Sequence, residues 1–175
     1  SKDSPAYWDT AKEPTESQFK LFQKYDSFEA DDYVALAEHC RKVGIDFIST
    51  PFDANAVELL DPLMHCYKIA SADITNVPLL RQVGSKGKPV LMSTGAATLG
   101  EIEGAVRELE HVGCADIVLL QCVLNYPCPN ENAHLNMIDG LRRSFPERVL
   151  GYSDHTLPDE RMLILTAAWL KGAAV

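Results

Sequence analysis

Lys68 stands between Tyr67 and Ile69, inside an apolar run. An ammonium there is costly to bury unless an anion meets it or its proton is lost. Three roles suit such a lysine. It can hold a phosphate or carboxylate, form an imine with a carbonyl substrate as in aldolases, or snorkel from a strand end to water. Ser71 lies three residues on, and Asp73 two beyond that. Ser93-Thr94-Gly95 closes the next apolar stretch, where glycine lets backbone N–H groups approach an anion. Thr50 precedes Pro51-Phe52 at the end of an earlier one. Singly, each hydroxyl reads as well as a helix cap, and Thr75 and Thr98 are read that way. Repeated at successive strand ends beside Lys68, the hydroxyls describe an oxyanion site.

Ser153-Asp154-His155-Thr156 is the densest polar cluster. His155 suits a neutral metal ligand or a general acid/base, with Asp154 orienting the imidazole; a structural loop histidine is the alternative. Asn125-Tyr126-Pro127-Cys128-Pro129 breaks the chain after a buried run. Its prolines stiffen the loop, and Asn125 and Tyr126 offer hydrogen-bonding groups to a hydroxylated ligand. Cys122 and Cys128 lie near the same rim without an adjacent base and are read as packing or pocket lining.

The elements that must position these groups recur in one pattern. Five apolar runs end in small polar clusters and turn into helices: Phe47–Thr50, Tyr67–Ser71, Val90–Gly95, Ile117–Cys122 and Val149–His155. Alternating β and α predicts a parallel sheet, and in a (β/α) barrel the carboxyl ends of the strands carry the chemistry. A short helix is expected near residues 15–24 within a lead-in loop over 1–28, whose aromatics suit a lid or simple packing. Ser27 is the expected cap of a helix with Glu29, Asp31 and Asp32 in its first turn and Tyr33, Leu36, Ala37, Cys40 and Val43 on its apolar face; Gly44 ends it. Further helices are expected at 53–64 with Asp53 as cap, from Asn76-Val77-Pro78, at 99–112, 135–145 and 158–171.

The chain has 175 residues, 46% hydrophobic, which suits one domain with a real core. A closed eight-stranded barrel needs about 250 residues, so a partial barrel lacking strands at both ends is expected. The net charge of -9 argues against nucleic acid as a main partner. Five cysteines without a C-x-x-C pair fit reduced thiols and a cytoplasmic setting. No apolar run approaches the roughly 20 residues of a membrane span.

Together, Ser49-Thr50-Pro51-Phe52-Asp53, Tyr67-Lys68-Ile69-Ala70-Ser71 with Asp73-Ile74-Thr75-Asn76, Ser93-Thr94-Gly95, Asn125-Tyr126-Pro127 and Gly151-Tyr152-Ser153-Asp154-His155-Thr156 resemble the sialic acid synthase family, including legionaminic and pseudaminic acid synthases. The match runs from about residue 44 onward. Lys2-Asp3-Ser4-Pro5 with Tyr7-Trp8 resembles the loop before the third barrel strand in some members.

The resemblance implies a (β/α)8 TIM barrel, here covering about strands 3–7. It implies condensation of phosphoenolpyruvate with an N-acyl-mannosamine-type sugar, giving a nonulosonic acid and phosphate by C–O cleavage. It assigns phosphoenolpyruvate to Thr50, Lys68, Ser71, Ser93 and Ser153, the sugar to Tyr126 and Asn125, catalysis to Lys68 and Asp73, and a divalent Mn²⁺ or Mg²⁺ to His155. A homodimer is implied for the full-length protein. Where many members have His and a polar residue, this chain has Gln121 and Leu124. The second metal-binding histidine would lie just beyond Val175, and the C-terminal antifreeze-like domain is absent, so the stretch alone is expected to be inactive. The rival readings are a 3-deoxy sugar-acid phosphate synthase, a Schiff-base aldolase using Lys68, and a non-catalytic scaffold.

Overall fold

Four short strands form one parallel sheet in the computed structural model, which describes residues 10–175. They are β1 (Tyr67–Ile69), β2 (Val90–Ser93), β3 (Ile117–Gln121) and β4 (Val149–Tyr152), hydrogen-bonded to one another in chain order. The register sets Lys68 opposite Leu91, Leu91 opposite Val118, and Val118 opposite Val149. Because side chains alternate along a strand, this row shares one face of the sheet. Tyr67, Ile69, Val90, Met92, Ile117 and Leu119 take the other face and are buried in the main apolar cluster. That alternation keeps Lys68 out of the helix-packed core.

The crossovers are helices, as parallel pairing requires. The helices in chain order are α1 (Gln18–Tyr25), α2 (Ala30–Val43), α3 (Ala54–Leu60), α4 (Val77–Gly84), α5 (Leu99–His111), α6 (Asn136–Ser144) and α7 (Leu163–Leu170). Thr98 and Glu101 close a reciprocal capping box on α5, a device whose loss costs about 1 kcal/mol. Asp53 caps α3 through the Ala56 N–H, and Asn76 caps α4 through the Leu79 N–H. Gly44 and Gly113 take the left-handed backbone (φ 76° and 97°) that ends α2 and follows α5. Ile102, Ala105, Val106 and Leu109 pack α5 into the core beside Leu79, Leu80 and Val83 of α4.

Several expectations are corrected. Phe47–Thr50 is not a strand. No neighbouring strand pairs with it among the described residues; the Ser49 N–H instead donates to Met64 Sδ at 3.0 Å, and Ile48 stays exposed. Ser27 does not cap α2. Glu29 does, in a reciprocal box with Asp32, because that pair has the spacing at which each carboxylate reaches the other's N–H. Of the apolar face of α2, only Ala37 is buried. Thr75 yields the cap of α4 to Asn76.

The helix expected at 158–171 begins at Leu163, after Met162 in the left-handed region (φ 48°). Beyond it, Ala174 N–H donates to the Leu150 carbonyl and Tyr152 N–H to the Val175 carbonyl, both at 2.8 Å. The tail therefore pairs alongside β4, as a strand opening there would. All five cysteines are free. Among the described residues, no helix is long and apolar enough to cross a membrane. The motif at Lys2–Pro5 with Tyr7-Trp8 lies outside the described residues.

Candidate active site

Parallel pairing in chain order brings the four carboxyl strand ends to one rim. At that rim Lys68 Nζ donates to Ser93 Oγ at 2.6 Å, across the β1–β2 pair, and to the Ile69 carbonyl at 3.0 Å. No carboxylate among the described residues lies within ion-pair distance of it. Burial pushes the Lys68 pKa down, and the Cys122 thiol nearby pulls weakly the other way. A desolvated cation held by neutral oxygens is a receptor for an anion.

Below this pair, three strand ends interlock. Ser71 Oγ accepts from the Gly95 N–H at 2.9 Å and lies 3.2 Å from Cys122 Sγ. A Cβ on Gly95 would come within 2.8 Å of Cys122 Sγ, 3.1 Å of Ser71 Oγ and 3.2 Å of Leu124 Cγ. Glycine is thus required by close approach, not by backbone sign. Ala96 follows in the left-handed region (φ 56°), and Thr94 anchors the turn through both its N–H and Oγ1 to the Leu120 carbonyl. Ser71 in this structure is committed to holding the Gly95 turn.

The third cluster joins β3 to β4. His155 Nδ1 lies 2.5 Å from the Val123 carbonyl, a contact that fits Nδ1 as the protonated nitrogen and leaves Nε2 as the lone-pair donor. The Tyr126 ring packs on the imidazole with centroids 4.1 Å apart. Asp154 does not orient His155: its Oδ1 takes the Thr156 N–H at 2.9 Å and the Tyr152 hydroxyl at 3.3 Å. Burial and Asp154 raise the Tyr152 pKa. Ser153 enters through its N–H, donated to the Gln121 carbonyl at 2.9 Å.

Asp73 lies in a single 3-10 turn after β1, and its Oδ1 accepts from Asn76 Nδ2 at 3.2 Å. Thr50 is half-buried in the coil before Pro51, and Asn125 is exposed. Neither is drawn against Lys68 by a hydrogen bond.

A cleft of 740 Å³ opens at this rim. It is walled by Ala70, Ser71 and Ala72 after β1, by Leu124 and Tyr126 after β3, by Phe52, and by Phe22, Tyr25 and Asp26 of α1 and its end. Volume and apolar lining suit a small-molecule site. Sequence reasoning singled out neither Phe22, Tyr25 and Phe52 as cleft walls nor Val123 as the partner of His155. The aromatic density of 19–28 was the available signal for the first; a backbone carbonyl leaves none. Another hollow, of 440 Å³ against α5, lies at the amino end of β4, where Arg107 and Arg148 are already paired with Glu103 and Glu110.

A divalent metal is only partly accommodated. His155 Nε2 fits one nitrogen donor, yet no group of three His, Cys, Asp or Glu able to hold an ion occurs among the described residues. Further donors would have to come from elsewhere.

The model of the NeuB family matches residues 1–175. An uncharacterized protein of Methanocaldococcus jannaschii is 46% identical over 140 residues, 79% of this chain and 41% of its own. The N,N'-diacetyllegionaminic acid synthase of Campylobacter jejuni is 40% identical over 144 residues, 81% of this chain and 42% of its own. The crystal structure of an N-acetylneuraminic acid synthetase from Leptospira borgpetersenii, in complex with citrate, matches with a TM-score of 0.77 at 34% identity, covering 83% of this chain and 50% of that one. The chain spans less than half the length of the curated relatives it matches.

Proposed function

The chain belongs to the NeuB family, and from that premise we propose that it serves the condensation of phosphoenolpyruvate with an N-acyl-mannosamine-type sugar, yielding a nonulosonic acid and phosphate. The observation that carries this reading is the Lys68–Ser93 pair: a half-buried ammonium at the strand ends with hydroxyl and carbonyl partners and, among the described residues, no carboxylate. The sheet is read as part of a (β/α)8 barrel, about strands 3–7. In-order parallel pairing and the tail beside β4 support this.

In the proposed reaction, Lys68, Ser93, Thr50 and Ser153 hold the phosphate and carboxylate of the donor through charge-assisted hydrogen bonds. Ser71 fixes the Gly95 turn through the Gly95 N–H that its Oγ accepts. The donor's terminal carbon forms a bond to the sugar's aldehyde carbon, whose oxygen takes up a proton. Water adds at the resulting cationic carbon, and the C–O bond to phosphate breaks, so phosphate leaves with the bridging oxygen. Asp73, with Oδ1 engaged by Asn76, offers Oδ2 for a proton of the water or the sugar hydroxyl. Tyr126 and Asn125 flank the sugar. A divalent Mn²⁺ or Mg²⁺, with His155 as one donor, supplies Lewis-acid polarisation of the aldehyde when bound.

The whole protein is expected to act as a homodimer in the cytoplasm. Incubating it with donor labelled with ¹⁸O at the bridging position, and an amino sugar, tests the reading. Label recovered in phosphate is the expected result; label retained in the sugar acid, or no phosphate at all, rejects it. The lowered Lys68 pKa also favours an imine-forming role. Borohydride trapping of a substrate adduct on Lys68 would select that reading.

A further inference from the structure

We infer that a second site, on the helix side of the sheet, takes a small monocarboxylate with a short apolar body. A hollow of 390 Å³ lies there between α5, α6 and the carboxyl ends of β2 and β3. It shares no lining residue with the 740 Å³ cleft at the rim. Its walls come from strands and helices that follow one another in this chain. The inference does not rest on the condensation reading.

Gln121 marks the site. Alternation along β3 puts it on the face of Ile117 and Leu119, toward the helices. It is 6% exposed, and its side-chain amide makes no hydrogen bond among the described residues. Yet no side-chain nitrogen or oxygen sealed from solvent lacks a partner among those residues. The amide therefore opens into the hollow that Gln121 lines. Burying an amide is costly unless a hydrogen bond meets it, so the partner has to sit in that space. Thr94, equally buried beside it, has no such need, because its Oγ1 donates to the Leu120 carbonyl at 3.1 Å.

Arg143 reaches the same hollow from α6. Asp139, one turn earlier on that helix, is taken by Lys171 Nζ at 2.7 Å, and no acidic side chain lines the hollow. A guanidinium and a primary amide are both planar N–H donors, and together they match the two oxygens of a carboxylate. The rest of the lining is apolar. Ile102 and Leu141 are buried, while Leu99 and Met137 are half exposed, so the wall runs from the interior to the surface. One polar pair within apolar walls is the make-up of a small-molecule site, and the volume is at the small end of such sites. Gly140 keeps the α6 wall open: a Cβ there would meet nothing within 4 Å. Glycine weakens a helix interior relative to alanine; here it leaves room for an occupant.

Calorimetric titration of the full-length protein with 4-methylpentanoate and its neutral amide tests the inference. The carboxylate is expected to bind about ten-fold or more tightly than the amide. Arg143→Gln should weaken it about ten-fold, the value of one hydrogen bond to a charged group, and Gln121→Leu several-fold. Gly140→Leu, whose side chain fills the hollow, should abolish binding with the thermal transition kept or raised. No binding by the parent protein overturns the inference, including the case in which another part of the protein fills the hollow. Equal affinity for carboxylate and amide overturns it too, since the guanidinium then plays no part. Affinity unaltered in both Arg143→Gln and Gly140→Leu places the probe elsewhere, at Lys68 for instance, and also overturns it.

Discussion

Lys68 Nζ and Ser93 Oγ are 2.6 Å apart across the first strand pair, and their bond spans 25 residues of sequence. Strand register creates this contact: Lys68 lies opposite Leu91, two residues before Ser93 on the same face. Removing the hydroxyl frees the ammonium to swing toward water. Ser93→Ala is expected to weaken phosphoenolpyruvate binding about ten-fold, the value of one hydrogen bond to a charged group, with little change in stability. Titration calorimetry on the full-length protein checks this.

Gly95→Ala should destabilise the protein by about 1–3 kcal/mol, because the new methyl meets Cys122, Ser71 and Leu124 in a packed interlock. The double variant with Cys122→Ala should recover part of that loss, since the nearest contact, Cys122 Sγ at 2.8 Å, is gone. Chemical denaturation of the two variants measures it. Equal stabilities of Gly95→Ala and the double variant would show that the crowding is absent.

His155→Ala is expected to lower Mn²⁺ content after dialysis of the full-length protein, by removing a nitrogen donor. Replacing the imidazole also frees the Val123 carbonyl that it now meets at 2.5 Å. His155→Gln, which keeps a donor toward that carbonyl, separates the two effects. Metal loss in both variants with the thermal transition kept in the second is the predicted pattern.

The Glu13 carboxyl, held by Lys24 and Tyr25, titrates at about 2 against an ordinary 4.5. The sign follows from linkage: a carboxyl depressed on folding contributes fully above pH 4.5, and the contribution is lost as pH falls toward 2. Carboxyl ¹³C chemical shifts of Glu13 should move in that lower range. Because the Lys24 partner is about half exposed, high salt should move the midpoint toward 4.5. A midpoint near 4.5 at low salt would mean that Glu13 does not hold the end of α1.

Much of the sheet was legible because parallel strands buried against helices read as continuous apolar runs, and four of the five runs pair. Phe47–Thr50 has the same composition, yet pairing is a property of neighbours, and none reaches it among the described residues. Caps were legible where side chain and spacing coincide, as at Thr98–Glu101. Ser27 misled because it is a good cap in isolation and loses to a reciprocal carboxylate pair two residues on. In the site, Lys68 and the hydroxyl of Ser93 could be grouped from repeated strand ends. The partner of His155 could not be, since a backbone carbonyl has no sequence identity, and Asp154 was the nearest carboxylate by number only. The apolar cleft wall combines α1 with three loop segments far apart in the chain. Its aromatics were visible; their convergence was not.

Burial lowers the Lys68 pKa, so the folded state binds that proton less tightly than the unfolded chain does. The buried charge costs stability below its folded pKa, and the cost fades as pH rises through it. Lys68→Met keeps the packing of the stem and removes the charge, so the full-length variant should melt no lower than the parent. Calorimetric titration of phosphoenolpyruvate into that folded variant is the most direct measurement. A loss of affinity of about 10- to 100-fold, with stability kept, is the predicted result. Unchanged affinity in the folded variant would contradict the anion-holding role of Lys68 and the account built on it.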